Sequence, residues 1–217
     1  MTAVTDRRDD PRLRQALADF WSYPSPKVLV PITAAAVGAR IGLARWRRRD
    51  VGIIVGILAL EPFTEWLIHV GLLHFRPRVI GGRPIDPLVA RKHRAHHAEP
   101  KRAELVFVPM PVLRVALPVA VLGWFAGERR VRTALTGIAT SFSMLTAYEW
   151  THYLIHSSYK PRHRPYRGVW RAHRLHHYRN EHYWFGVTVH GADRILGTFP
   201  DRDAVAMSPT ARTLGVA

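Results

Sequence analysis

The sequence predicts an all-α integral membrane protein, with about four transmembrane helices in two hairpins and a cytosolic helical cap that carries histidine boxes. Two observations lead there. The apolar residues of the 217-residue chain are segregated into four blocks, 28–44, 51–75, 105–126 and 133–155. Each is close to the roughly 17–25 apolar residues that cross a bilayer as a helix. Ten of the 13 histidines then fall into four clusters, at the ends of the second and fourth blocks and on the polar segments that follow them.

Composition narrows the function classes. Basic residues outnumber acidic ones 32 to 16, and only four of the 32 are lysine. Such a balance fits nucleic-acid binding or apposition to anionic headgroups. The four apolar blocks decide for the membrane and against nucleic acid. The absence of cysteine excludes disulfides, thiolate zinc sites, iron–sulfur clusters and a cysteine nucleophile.

In chain order, residues 1–26 form a polar N-terminal segment without the apolar core of a signal peptide. A short helix over 11–21 would set Leu13, Leu17, Phe20 and Trp21 on the membrane surface. Residues 27–200 form the histidine-box domain, and 201–217 a C-terminal tail. The first hairpin closes at 45–50 (RWRRRD) and the second at 127–132 (GERRVR). If all four blocks span, the N-terminus, residues 76–104 and residues 157–217 share one side. These regions hold most of the basic residues, which places them in the cytoplasm. The two loops are also arginine-rich, so the positive-inside count points both ways. Outside the blocks, Asp86 and Pro87 predict a helix start and a helix through about 97. A second cap helix runs from beyond Gly168 to about 179. Residues 186–189 are the one short stretch expected to be extended.

The histidine clusters are His69 and His74 (HX4H), His93, His96 and His97 (HX2HH), His152 and His156 (HX3H), and His173, His176 and His177 (HX2HH). The order is a pseudo-repeat: a hairpin, a histidine pair at its exit, then a triplet on a cap helix. Positions i, i+3 and i+4 share a helical face, so each triplet aims its imidazoles in one direction. His69 and His74, at i and i+5, converge only if the helix bends or ends between them, which Gly71 and Pro77 allow. Imidazole suits iron, copper and zinc, and ten converging rings exceed the needs of one metal. Two metals are expected. His163 sits in a basic loop and is read as a surface residue. His182 and His190 are candidate additional ligands or supports. Glu65 and Glu149, four and three residues before a histidine, are candidates to hydrogen-bond a ligand imidazole from behind. Tyr148, Tyr153, Tyr183 and Trp184 are close enough to the boxes to line a substrate path.

These residues resemble the fatty acid hydroxylase superfamily, the histidine-box di-iron membrane oxidases, over about residues 60–200. The likeness is greatest to the catalytic domain of the fatty acid 2-hydroxylases. It rests on the boxes together with Leu105-Val106-Phe107-Val108-Pro109 after the first triplet and Glu149-Trp150-Thr151-His152-Tyr153. Phe185-Gly186-Val187-Thr188 follows the second triplet, and Asp193 and Gly197-Thr198 close the pattern. Asn180 stands where that pattern often has a histidine. Residues 1–26 are too short for the cytochrome b5 domain often fused to such enzymes.

The resemblance implies an O2-dependent lipid hydroxylase acting on a fatty acyl chain at C2. The cofactor would be two iron ions, replaceable by zinc in purified protein. The ten clustered histidines would be the metal ligands. A separate electron donor (cytochrome b5-like, ferredoxin or reductase) would dock near Arg91, Arg94, Arg171 and Arg174. Sterol desaturases, sterol methyl oxidases and carotenoid hydroxylases of the same superfamily are the alternative. A non-enzymatic membrane metal transporter is the alternative from another class, but its histidines should lie within the spans rather than at their exits.

Overall fold

A computed structural model describes residues 11–216. It is mostly helical: α1 (Pro11–Phe20), α2 (Pro24–Gly42), α3 (Arg48–Ile68), α4 (Leu88–Ala98), α5 (Met110–Gly127), α6 (Val131–His156), α7 (Arg164–Tyr178) and the short α8 (Gly191–Ile195). The four apolar blocks become α2, α3 with the turn beyond it, α5 and α6. Among the described residues, two segments are long and apolar enough to cross a membrane, Arg48–Leu73 and Ala103–Gly127. Both turn apolar side chains outward. Leu58, Leu60 and Leu67 of α3 are 50%, 63% and 65% exposed, and Val115, Val119 and Leu122 of α5 are 63%, 60% and 68% exposed. In water this would be a large uncovered apolar surface; against acyl chains it is matched.

The other two blocks differ in chemistry. α2 and α6 pack on each other through polar pairs. Thr33 Oγ1 lies 2.9 Å from Thr146 Oγ1, and the buried Arg40 donates through Nε to Thr136 Oγ1 at 2.6 Å. α6 is largely enclosed, with Leu29 of α2 and Leu113 and Leu117 of α5 packed on its Ile138 and Phe142. A Cβ on Gly137 would collide with the ring of Trp124, so glycine is what lets α5 approach α6 there.

Several local expectations change. Helix α4 begins one residue later than the Asp86 start implied, with Pro87 at the N-cap. Asp86 instead pairs with Arg94 at 2.6 Å, a charge-assisted bond that outweighs a cap in a turn already fixed by proline. Helix α7 starts at Arg164, using Pro165 in its first turn. Residues 186–189 form no strand. The strands among the described residues are Arg78–Ile80 (β1) and Arg83–Ile85 (β2), an antiparallel hairpin closed by Gly81 and Gly82 at φ +57° and +76°. Two glycines with positive φ are the signature of a tight hairpin turn. In α1, Phe20 is buried against Phe107 and Trp150 rather than lying on a surface, while Leu13, Leu17 and Trp21 stay exposed. The tail from 201 onward folds back onto the cap, burying Val205, Ala211 and Leu214.

Candidate metal centre

The ten clustered histidines meet at the C-terminal ends of α3 and α6, under α4 and α7. They form two groups of five. One contains His69, His74, His93, His97 and His176; the other contains His96, His152, His156, His173 and His177. Within each group one nitrogen per ring lies within 4.8 Å of all the others. The groups share a wall, where the rings of His97 and His177 stack at 4.1 Å.

The division does not follow the pseudo-repeat. Each triplet splits two to one. His93 and His97 join the pair from the first hairpin while His96 crosses over; His173 and His177 join the second pair while His176 crosses over. Helix geometry explains it. Positions i and i+4 are about 40° apart around the axis, whereas i+3 lies about 60° to the far side of i. Two facing helices each offer two rings to one group and one to the other, so the expectation of a single direction per triplet is corrected.

His69 and His74 converge because the chain widens between them into a π-helical turn, His69–Leu73, with His74 N bonded to His69 O at 3.0 Å. An i→i+5 turn stacks residues five apart, and such bulges are frequent at functional sites. The ring centroids of the pair are 5.0 Å apart.

Four imidazoles are oriented by backbone carbonyls. Nδ1 donates to Phe185 O from His69 (2.7 Å), to Ala211 O from His97 (2.8 Å), to Val106 O from His152 (2.9 Å) and to Tyr183 O from His176 (2.8 Å). A carbonyl only accepts, so the proton sits on Nδ1 and the lone pair on Nε2, aimed into the group. Nε2 of His74, His97, His152 and His176 and Nδ1 of His96, His173 and His177 are buried without a partner among the described residues. A buried unsatisfied polar atom costs about 1–3 kcal/mol, so an interior with seven of them calls for a cation. Burial pushes the six cap-helix histidines below the usual imidazole range, His97 to about 4, and neighbouring rings add to the shift in the other five. Neutral rings keep their lone pairs for metal. The donor set therefore fits two metal ions, one per group.

Glu65 and Glu149 do not reach an imidazole; each holds the loop that does. Glu149 accepts from Val108 N at 2.9 Å and from Ser25 Oγ at 2.6 Å, and that loop presents Val106 O to His152. Glu65 accepts from Val187 N and from Thr188 N at 3.1 Å, and that loop presents Phe185 O to His69. In both cases the amide lies two residues beyond the carbonyl. Asp193 fixes the second loop further, accepting from Phe185 N at 3.0 Å and Gly186 N at 2.7 Å.

The remaining expected residues fall outside the two groups. His190 packs on Phe199 at 4.6 Å. His182 sits beside Glu181 at 3.5 Å, and Asn180 bonds Ala206 O and His182 N. Arg94 is tied to Asp86 and Phe75 O, which removes it from a docking surface. Tyr153 and Trp184 are buried in packing clusters rather than along an open path. The carbonyls of Ala211 and Tyr183, which orient two ligands, carried no side-chain signal in the sequence.

A helical scaffold that holds two groups of buried, carbonyl-oriented imidazoles has the donor set of a metal-binding protein. The family model described as fatty acid hydroxylase matches residues 54–198, and the chain belongs to that family. It is 25% identical over 201 residues to the dihydroceramide fatty acyl 2-hydroxylase FAH2 of Arabidopsis thaliana, covering 87% of this chain and 81% of the relative. Against FAH1 of the same plant, also a dihydroceramide fatty acyl 2-hydroxylase, it is 23% identical, covering 91% and 83%. The fold matches the solved structure described as full-length scs7p, in which only the hydroxylase domain is visible. That match has a TM-score of 0.69 at 22% identity and covers 87% of this chain and 69% of the other.

Proposed function

We propose that the protein is a di-iron, O2-dependent lipid hydroxylase that places a hydroxyl group on C2 of a fatty acyl chain. The single observation that carries the reading is the pair of five-histidine groups at the C-terminal ends of α3 and α6. His69, His74, His93, His97 and His176 would hold one ion, and His96, His152, His156, His173 and His177 the other. Five imidazoles per ion exceed the four-coordinate habit of structural zinc, which favours iron as the working metal. When bound, the iron pair supplies the oxidation: O2, two electrons and two protons convert a C–H bond to C–OH and release one water. The histidines remain neutral, keep their lone pairs inward, and offer no thiol or thioether that the oxidant would consume.

The substrate arrives through an apolar medium. A groove of about 430 Å3 runs along α5 between Val112, Val115 and Val119 and reaches Val89 and Leu72. Leu72 lies in the π-turn between His69 and His74, so the groove runs up to the segment that carries two ligands of the first group. The volume lies within the range of small-molecule sites. The names of the plant relatives favour an acyl chain as the occupant.

In this reading α2, α3, α5 and α6 all cross the bilayer, and α4, α7 and the tail lie on the cytoplasmic side, where a separate electron donor docks. Placing the histidines at span exits rather than along a polar path argues against a metal transporter. Expression in a host without hydroxylated lipids should add one oxygen to acyl chains, dependent on O2 and on His177. A sterol or carotenoid that gains oxygen or a double bond while acyl chains stay unchanged would move the substrate and leave the family standing.

A further inference from the structure

The arginines of the two hairpin loops lie far from the metal groups. α3 and α6 both begin at these loops and end at the histidines. At about 1.5 Å per residue, the 21 residues of α3 separate the two ends by about 30 Å. A cavity of about 400 Å3 opens at the loop end. Its walls are Arg45, Arg47, Arg130 and Arg132, with Asp50 and the first turn of α6.

The acid in this wall is already committed. Asp50 accepts from Arg47 N at 2.8 Å and Thr136 Oγ1 at 2.7 Å, and it pairs with Arg40 at 3.3 Å. Arg40 is 1% exposed and fully engaged, with Nε on Thr136 Oγ1, Nη1 on Ala44 O and Nη2 paired with Asp50, so the charge of Asp50 is neutralised from behind the wall. The side chains of Arg45 and Arg130 make no hydrogen bond or ion pair among the described residues, and Arg132 uses only Nε, on Leu43 O at 3.2 Å. α6 starts on Arg130 with no side-chain cap and no acid in its first turn. Basic residues at a helix start oppose the macrodipole. A bound anion reverses both penalties, because the amides and the guanidinium groups then converge on it.

We propose that this cavity binds a phosphate group, as a monoester or diester, between the guanidinium groups of Arg45, Arg47 and Arg130 and the first turn of α6. Its distance from the metal groups matches the thickness of a hydrocarbon core, so on the spans proposed above the source is a phospholipid headgroup in the leaflet opposite the cytoplasmic face. The loop arginines then serve a ligand, which is why they confuse a topology count. The phosphate chemistry itself does not depend on the hydroxylase reading.

The test compares the metal-loaded full chain with an Arg45→Gln/Arg130→Gln variant in detergent. Native mass spectrometry measures retention of phosphatidic acid against diacylglycerol, which differ by the phosphate alone. Thermal shift measures inorganic phosphate. The wild type should retain phosphatidic acid and not diacylglycerol, and the variant should bind it more than about tenfold more weakly, with metal content unchanged. Stabilisation of the wild type but not the variant by inorganic phosphate, without lipid retention, supports the site and assigns it to the free anion. Equal retention of the two lipids together with equal behaviour of wild type and variant towards phosphate overturns the proposal. Because metal content is read separately, that failure would leave the metal centre untouched.

Discussion

Removing the carboxylate of Glu149 tests how the protein builds its metal ligands. Glu149 is fully buried and accepts from Val108 N at 2.9 Å and from Ser25 Oγ at 2.6 Å and 2.7 Å. Glu149→Ala orphans two buried donors, at about 1–3 kcal/mol each, a total of about 2–6 kcal/mol. Glu149→Gln keeps an acceptor for Val108 N and should cost about 1–2 kcal/mol. The consequence is local. Val106 O, two residues from the released amide, no longer holds Nδ1 of His152. Loss of such support lowers metal affinity about 10–100-fold. Chelator titration followed by metal analysis should therefore show one ion leaving early in Glu149→Ala, from the group of His96, His152, His156, His173 and His177, while the other is retained. Glu65→Ala should show the converse, through Phe185 O and His69. Equal loss of both ions in each variant, or loss of neither, would refute the idea that each glutamate serves one group.

Three further outcomes follow from the same geometry. Single changes His97→Ala and His177→Ala should abolish turnover and lower bound metal, whereas His163→Ala, at the exposed start of α7, should leave activity within about twofold, as expected of a surface change; activity assays with metal analysis check this. Gly137→Ala forces a Cβ into the ring of Trp124 and should destabilise the α5–α6 contact by about 1–3 kcal/mol, measured by thermal unfolding in detergent. The metal-stripped protein should lose stability as pH falls. His97 titrates near 4 when folded and near 6.5 when unfolded, so below 6.5 the unfolded chain takes a proton that the folded one refuses. Stability from this group is complete above 6.5 and declines toward 4, checked by denaturant unfolding across that range.

Much of this site was legible because chemistry and periodicity coincide in it. Histidine is rare enough that ten in four clusters stand out, and helical spacing alone brings i and i+4 together. The split of each triplet was not legible, since it depends on a second helix facing the first. The convergence of His69 and His74 needs a distortion of the helix between them, but i and i+5 spacing does not say that it is a π-turn. Glu65 and Glu149 drew attention by spacing, yet their partners are backbone amides of distant loops, which no side-chain pattern reveals. The same limit hides Ala211 O, which reaches His97 only because the tail folds back. In the fold, the four apolar blocks located four helices. Apolarity did not separate α3 and α5, which face outward, from α6, whose threonines and small residues are enclosed. The glycine pair at 81–82 was the local sequence signal for the hairpin.

Isotope incorporation distinguishes a two-metal oxygenase acting on C2 of an acyl chain from every alternative above. The purified, iron-loaded chain is supplied with reductant, an acyl lipid and isotopically heavy dioxygen, and the product is fragmented by mass spectrometry. The expected product carries one heavy oxygen in a hydroxyl group on C2, absent from the His177→Ala variant and from protein stripped of metal. Unlabelled product, label at another carbon, or the same yield from the His177→Ala variant would contradict it.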